Sequence, residues 1–216
     1  MKKIIISLLL ALGLATSSYA VSLEGLSVGI SGSHAGYYAV GTEETDNDPT
    51  GVDDTKEAGA FTANHMSVFL EYNVGPISVG LDYIPSQIET PKNTNLQGTT
   101  TNTVQGEFEN HTTVYALIPI PLGGLYAKVG GIYVDLNSIE NLGTGGSYGN
   151  TDTTGIMAGL GYSIEAADGL SLRAEITAAQ YDEVEVANSA SDAGGTKVTL
   201  TDMMSAFGTI SVVKSF

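Results

Sequence analysis

The sequence predicts an all-β protein, an eight-stranded antiparallel up-and-down transmembrane β-barrel. Three observations carry that expectation. Apolar residues recur with a period of two over most of the chain, the connections between those segments alternate long and short, and the last segment, Thr209 to Phe216, is a short amphipathic strand that ends on an aromatic. An exported chain patterned in this way presents one face of every strand to an apolar surrounding.

Export is read from the N-terminus. Lys2 and Lys3 precede an apolar run from Ile4 to Leu14, and Ser18-Tyr19-Ala20 forms a small-x-small cleavage site. The run is shorter than the roughly 17 to 25 residues of a membrane-spanning helix. Residues 1–20 are therefore expected to be a signal peptide and 21–216 the barrel, with no periplasmic domain after Phe216. The formal charge is −16, from 24 acidic and 8 basic residues, and two of those basic residues belong to the signal. So acidic a chain repels nucleic acid. With no cysteine there is no lipid-attachment thiol, no disulfide and no thiolate metal site.

Eight strand segments follow from the alternation: about 26–40, 61–72, 77–84, 111–119, 125–134, 153–164, 170–182 and 199–216. In the third, for example, Ile77, Val79, Leu81 and Tyr83 alternate with Ser78, Gly80 and Asp82. The connections run long at 41–60, 85–110, 135–152 and 183–198. They run short at 73–76, 120–124 and 165–169. Long loops on one rim and tight turns on the other mark a transmembrane barrel of even strand number.

A soluble eight-stranded barrel would also alternate, but it would turn its apolar face inward. Here Gly80, Asp82, Lys128, Gly130, Gly159, Gly161, Arg173 and Glu175 share one face, and the other is aliphatic with tyrosine at its ends. Small residues suit a narrow lumen that must admit a few long charged side chains. The aromatics are expected to form two girdles, Tyr72, Tyr162 and Phe216 at the turn end and Tyr83 and Tyr133 at the far end.

Together these segments, four long loops and terminal Phe216 resemble the small outer-membrane β-barrel family, the OmpA-like and opacity-type barrels, over the whole exported chain. The resemblance implies a bacterial outer-membrane location, with loops extracellular and termini periplasmic. It also implies that the last strand, through Ile210, Val212 and Phe216, is read by the barrel-assembly machinery. Lys214 departs from that pattern, standing where an apolar residue is usual. A monomer is expected, with outer-membrane lipids and lipopolysaccharide as its surroundings.

Candidate sites are few. Glu71, Asp82, Lys128, Arg173 and Glu175 lie on the lumen face and must pair or stay hydrated, because an isolated buried charge costs several kcal/mol. They are expected to form an internal salt-bridge network. Residues 46–57 match a twelve-residue calcium loop, with Asp46, Asp48, Gly51, Asp54 and Glu57 at its first, third, sixth, ninth and twelfth positions. Thr50, Asp53 and the non-helical flanks argue against it, and a solvated acidic loop is the alternative. His65 and Ser67 share a strand face as in the outer-membrane lipid A deacylases, but that family's pair faces lipid, whereas alternation turns this one to the lumen. No catalytic residue, cofactor or metal is assigned. The long loops, rich in Thr, Asn, Gly, Ser and Asp, are expected to be mobile and solvated. The function expected is structural or surface-interactive, the alternatives being a narrow pore for small solutes and a lipid-modifying enzyme.

Overall fold

Residues 23–48, 51–97, 99–143, 146–189 and 196–216 are described by the computed structural model; residues 1–20, the expected signal peptide, lie outside them. Chain alternation between small or polar and apolar residues produces strands and no helix among the described residues. They are β1 (Leu26–Asp48), β2 (Gly51–Val74), β3 (Ile77–Tyr83), β4 (Ile88–Glu89), β5 (Asn93–Gln97) and β6 (Thr100–Pro119). The remainder are β7 (Leu125–Leu142), β8 (Thr151–Ala167), β9 (Leu170–Tyr181), β10 (Val184–Ala187) and β11 (Lys197–Ser215). Eight of them, β1, β2, β3, β6, β7, β8, β9 and β11, pair antiparallel in a ring. The ring closes where β11 meets β1, in a ladder from Ser27↔Ser215 to Glu44↔Lys197. The small strands β4 and β5 pair with β6, and β10 pairs with β11, all on the long-loop rim.

Two of the short connections are tight hairpins made possible by glycine. Gly75 and Gly169 both hold φ at +65°, the left-handed backbone that matches the twist of a two-residue turn. Both ends of the barrel chain lie on this rim, where the Gly25 amide donates to the Phe216 carbonyl at 3.2 Å.

Burial is inverted relative to a water-soluble barrel. Ile156, Ile176 and Met66 expose 70%, 68% and 63% of their surface outward, while Ser31, Ser67, Thr113 and Ser211 are buried inside. A continuous outward aliphatic band with a polar interior is the arrangement that lipid, rather than water, stabilises. Tyr72, Tyr162 and Phe216 stand exposed at the short-turn end of the band and Tyr133 at the other. Tyr83 departs from the girdle expected of it. It is buried, and its hydroxyl donates to the Asn110 side chain at 3.2 Å, because Asn110 adopts a left-handed bulge in β6 beside it.

Much of the stretch expected as long connections is paired strand among the described residues. β1 and β2 stay paired to Asp48↔Gly51, and β6 and β7 to Asn102↔Leu142. Strands of 23, 24, 20 and 18 residues far exceed the 9 to 11 needed to cross a bilayer, so they project beyond it as ribbons. The alternation fades there because water bathes both faces, yet the ladder hydrogen bonds persist. On one side the rim is lower. β3 has only 7 residues, its ladder with β2 covers Val68 to Val74, and the chain then turns inward so that Ile84 and Ile88 are buried in the barrel mouth.

A charge introduced into the outward band reads out which solvent it meets. Ile176→Arg, six residues above the β8–β9 turn, is expected to lower stability in lipid vesicles by about 2–4 kcal/mol. Glu89→Arg on the rim is expected to leave it unchanged. Urea titration followed by heat-dependent gel mobility measures both, and equal, negligible effects would show that the band faces water.

Candidate functional site: the filled lumen

The lumen is built in two tiers. In the tier nearer the short turns, Arg173 Nη1 lies 2.6 Å from Glu71 Oε1 and Lys128 Nζ lies 2.9 Å from Glu175 Oε2. Each carboxylate also accepts a tyrosine hydroxyl: Tyr115 donates to Glu71 and Tyr126 to Glu175, both at 2.7 Å. Asp82 accepts from Ser67 at 2.7 Å, and Ser67 is bonded to Ser31 at 2.5 Å. The structure thus sets Glu71, Asp82, Lys128, Arg173 and Glu175 around one lumen space, as two ion pairs with Asp82 held by serine rather than by a cation, and with Glu71 only 2% exposed. Such burial is tolerable because every carboxylate has a charged or hydroxyl donor.

Glycine decides how the tyrosines fit. Tyr115 and Gly80 are direct cross-strand partners, and a Cβ on Gly80 would come within 2.4 Å of the Tyr115 ring. Gly161 gives the same notch to Tyr126, at 2.3 Å. Both rings lie flat across a neighbouring strand, which carries their hydroxyls to the acids and spreads their faces under the cations. Lys128 Nζ stands 4.2 Å above the Tyr115 ring and the Arg173 guanidinium 5.8 Å from that of Tyr126.

The outer tier is aromatic. Tyr37 stacks on Phe61 with centroids 4.9 Å apart and meets Phe207 edge-on at 5.9 Å, and Phe108 stacks beyond at 6.1 Å. Ala35, Ile84 and Ile88 pack against this group. Between the tiers His65 lies edge-on to Phe207, and His111 Nε2 is 3.3 Å from the Tyr181 hydroxyl, which in turn meets Ser205 at 3.1 Å. The space left among charges and histidines is about 50 Å³, room for a few water molecules.

The other candidates fare differently. His65 and Ser67 both face the lumen, but Ser67 is engaged by Asp82 and Ser31, and no hydrogen bond joins it to His65. Ile210, Val212 and Phe216 all point outward and are exposed. Lys214 reaches back to the β8–β9 turn, where Nζ donates to the Asp168 carbonyl at 3.1 Å. Of the residues 46–57, the side chains of 45–54 lie outside the described residues. The flanking backbone is ladder, with Gly41 opposite Glu57 and Thr42 opposite Lys56. On the outer rim Lys197 binds Glu185 at 2.9 Å and Glu44 at 3.3 Å, and its hydrogen bond to Glu185 holds the ammonium pKa above its usual value.

Period-two counting already sets Tyr115 on the face of Thr113 and Tyr126 on that of Lys128. What it does not reveal is that the glycines opposite lay those rings across the bore.

No family model and no curated protein matches the chain. Among solved structures, the outer membrane protein OprG from Pseudomonas aeruginosa superposes with a TM-score of 0.56 at 12% identity, covering 89% of this chain and 97% of that one. Neisserial surface protein A follows with a TM-score of 0.46 at 13% identity, covering 89% and 98%. Ail, the attachment invasion locus protein of Yersinia pestis, gives 0.32 at 12% identity, covering 83% and 98%. The fold is that of the outer-membrane β-barrels, and the OprG superposition carries the assignment. Within that class the chain has the architecture of the small eight-stranded members.

The inner tier makes a thermodynamic prediction. Glu71→Ala leaves Arg173 buried without its partner and is expected to cost about 3–5 kcal/mol. Adding Arg173→Ala is expected to restore part of that loss. A double-mutant cycle by urea unfolding in lipid gives the coupling, and strictly additive effects would show that the pair does not interact.

Proposed function

We propose that the protein is an integral outer-membrane barrel that conducts nothing and acts through its extracellular ribbons, as a structural or surface-interacting component. The observation that supports this most directly is the filling of the bore: paired charges below, stacked aromatics above, and about 50 Å³ between them. The outward apolar band supports residence in a bilayer, and the fold supports the bacterial outer membrane, with the ribbons outside and the short turns facing the periplasm. No catalytic role is assigned: the Ser67 hydroxyl is bonded to Asp82 and Ser31, with no hydrogen bond to His65. The rim is stitched by hydrogen bonds between separate connections, as where Ser147 and Ser189 exchange backbone and side-chain bonds at 2.8 and 2.9 Å. That gives the surface a fixed shape for a partner or for lipopolysaccharide to meet.

Reconstitution in a planar bilayer is expected to show no discrete channel events. Replacing both Tyr115 and Tyr126 by alanine, which removes the rings spanning the bore, is expected to introduce them. Discrete steps in the unmodified protein would overturn the sealed-lumen reading and favour the narrow pore.

The reading also gives Ile210, Val212 and Phe216 a role in recognition by the assembly machinery. Deleting Phe216 is then expected to slow machinery-assisted insertion several-fold while leaving the unfolding midpoint of barrels already folded nearly unchanged. Equal losses in the two assays would assign Phe216 to stability alone.

A further inference from the structure

A second cavity, of about 370 Å³, lies above the aromatic tier and shares no lining residue with the space among the lumen charges. Its floor is Tyr37, Phe61 and Phe108, so whatever enters stops there. The volume falls within the roughly 300–1,000 Å³ usual for small-molecule sites.

Two features set the chemistry of its occupant. The buried lining hydroxyls are already engaged within the protein. Thr90 Oγ1 donates to the Pro91 carbonyl and accepts from the Gly106 amide, Thr153 Oγ1 donates to the Asp182 carbonyl at 3.0 Å, and the Tyr181 hydroxyl is paired with Ser205 and His111. The exception is Tyr37, 92% buried by its 8% exposure, whose hydroxyl has no hydrogen-bond partner among the described residues. Among the described residues no charged side chain lines the space.

The second feature is a β-bulge. Between Tyr38↔Met204 and Val40↔Thr201, β11 carries one residue more than β1, and Asp202 takes a left-handed φ of +51°. Past the bulge the alternation of a regular strand resumes: Met203 is buried against the cavity, whereas Met204, 47% exposed, stands opposite the exposed Tyr38 on the outer face. Met203 gives the cavity a flexible, polarisable contact that adapts to varied apolar shapes.

We propose that this outer cavity binds a small uncharged apolar molecule, held by Met203, Leu200 and the aromatic floor, with no passage into the lumen. An ionised ligand would find no partner to offset its desolvation.

The protein's own methionines supply the test. The full chain, labelled with ¹³C-methyl methionine and held in lipid nanodiscs, is titrated with 2-acetylnaphthalene. The methyl signal of Met203 is expected to shift and saturate. Met157, beside the lumen charges, is expected to stay fixed, and Met66, on the lipid face, to report simple partitioning into the bilayer. Gly59→Phe fills the cavity from a position where an added Cβ meets nothing within 4 Å, and it is expected to abolish the saturable shift while heat-dependent mobility is retained. Met203 moving only in proportion to Met66, not moving at all, or saturating unchanged in a folded Gly59→Phe protein would each overturn the proposal.

Discussion

Closure of the ring by β11 against β1 is the constraint on which everything else rests. In a bilayer an unpaired backbone amide or carbonyl has no water to bond, at a cost of several kcal/mol each. A ladder from Ser27↔Ser215 to Glu44↔Lys197 removes the edge that eight strands would otherwise leave. Closure at this strand number in turn fixes a bore just wide enough for side chains. The lumen must then be packed like a protein core while using the polar half of an alternating pattern.

That requirement explains the mixture found inside. Apolar residues are committed to the lipid face, so the bore is filled by two ion pairs, by Asp82 held on serine, and by tyrosines that supply both volume and a donor. Arg173 illustrates the economy of the arrangement: it binds Glu71, lies near the Tyr126 and Phe69 rings, and spans from β9 to β2 across the lumen. Removing one member strands another, so the filling is cooperative by construction.

Much of this was legible in the sequence, and the limits have physical causes. Ile77, Val79 and Leu81 announce β3 because one face meets lipid and the other does not. The outer halves of β1, β2, β6 and β7 look like loops in the sequence, since Thr, Glu and Asn on both faces leave no contrast for a period-two count to detect. Lumen charges could be assigned to a face by alternation, but pairing Glu71 with Arg173, 102 positions away, requires the register of the closed ring. The aromatic tier was hidden for a related reason: Tyr37, Phe61, Phe108 and Phe207 come from four strands and converge only after closure. Parity places Tyr83 in a girdle, and its ladder partners Val68 and Thr112 keep that parity; what buries it is the bulged Asn110, whose side chain its hydroxyl meets.

The shortness of β3 divides the molecule into two cooperative units. Below Tyr83 every strand of the ring has a partner on each side, and opening any one of them breaks two ladders inside lipid. Above it, β2 continues for most of its length with β1 as its one ladder partner, and the inward-turned segment with Ile84 and Ile88 covers its flank through side chains alone. Local opening therefore starts at this seam, and its free energy is set by apolar packing in the mouth rather than by the barrel's backbone bonds. The crown and the ring below it are thus held by different forces, apolar packing in the mouth above and paired backbone below.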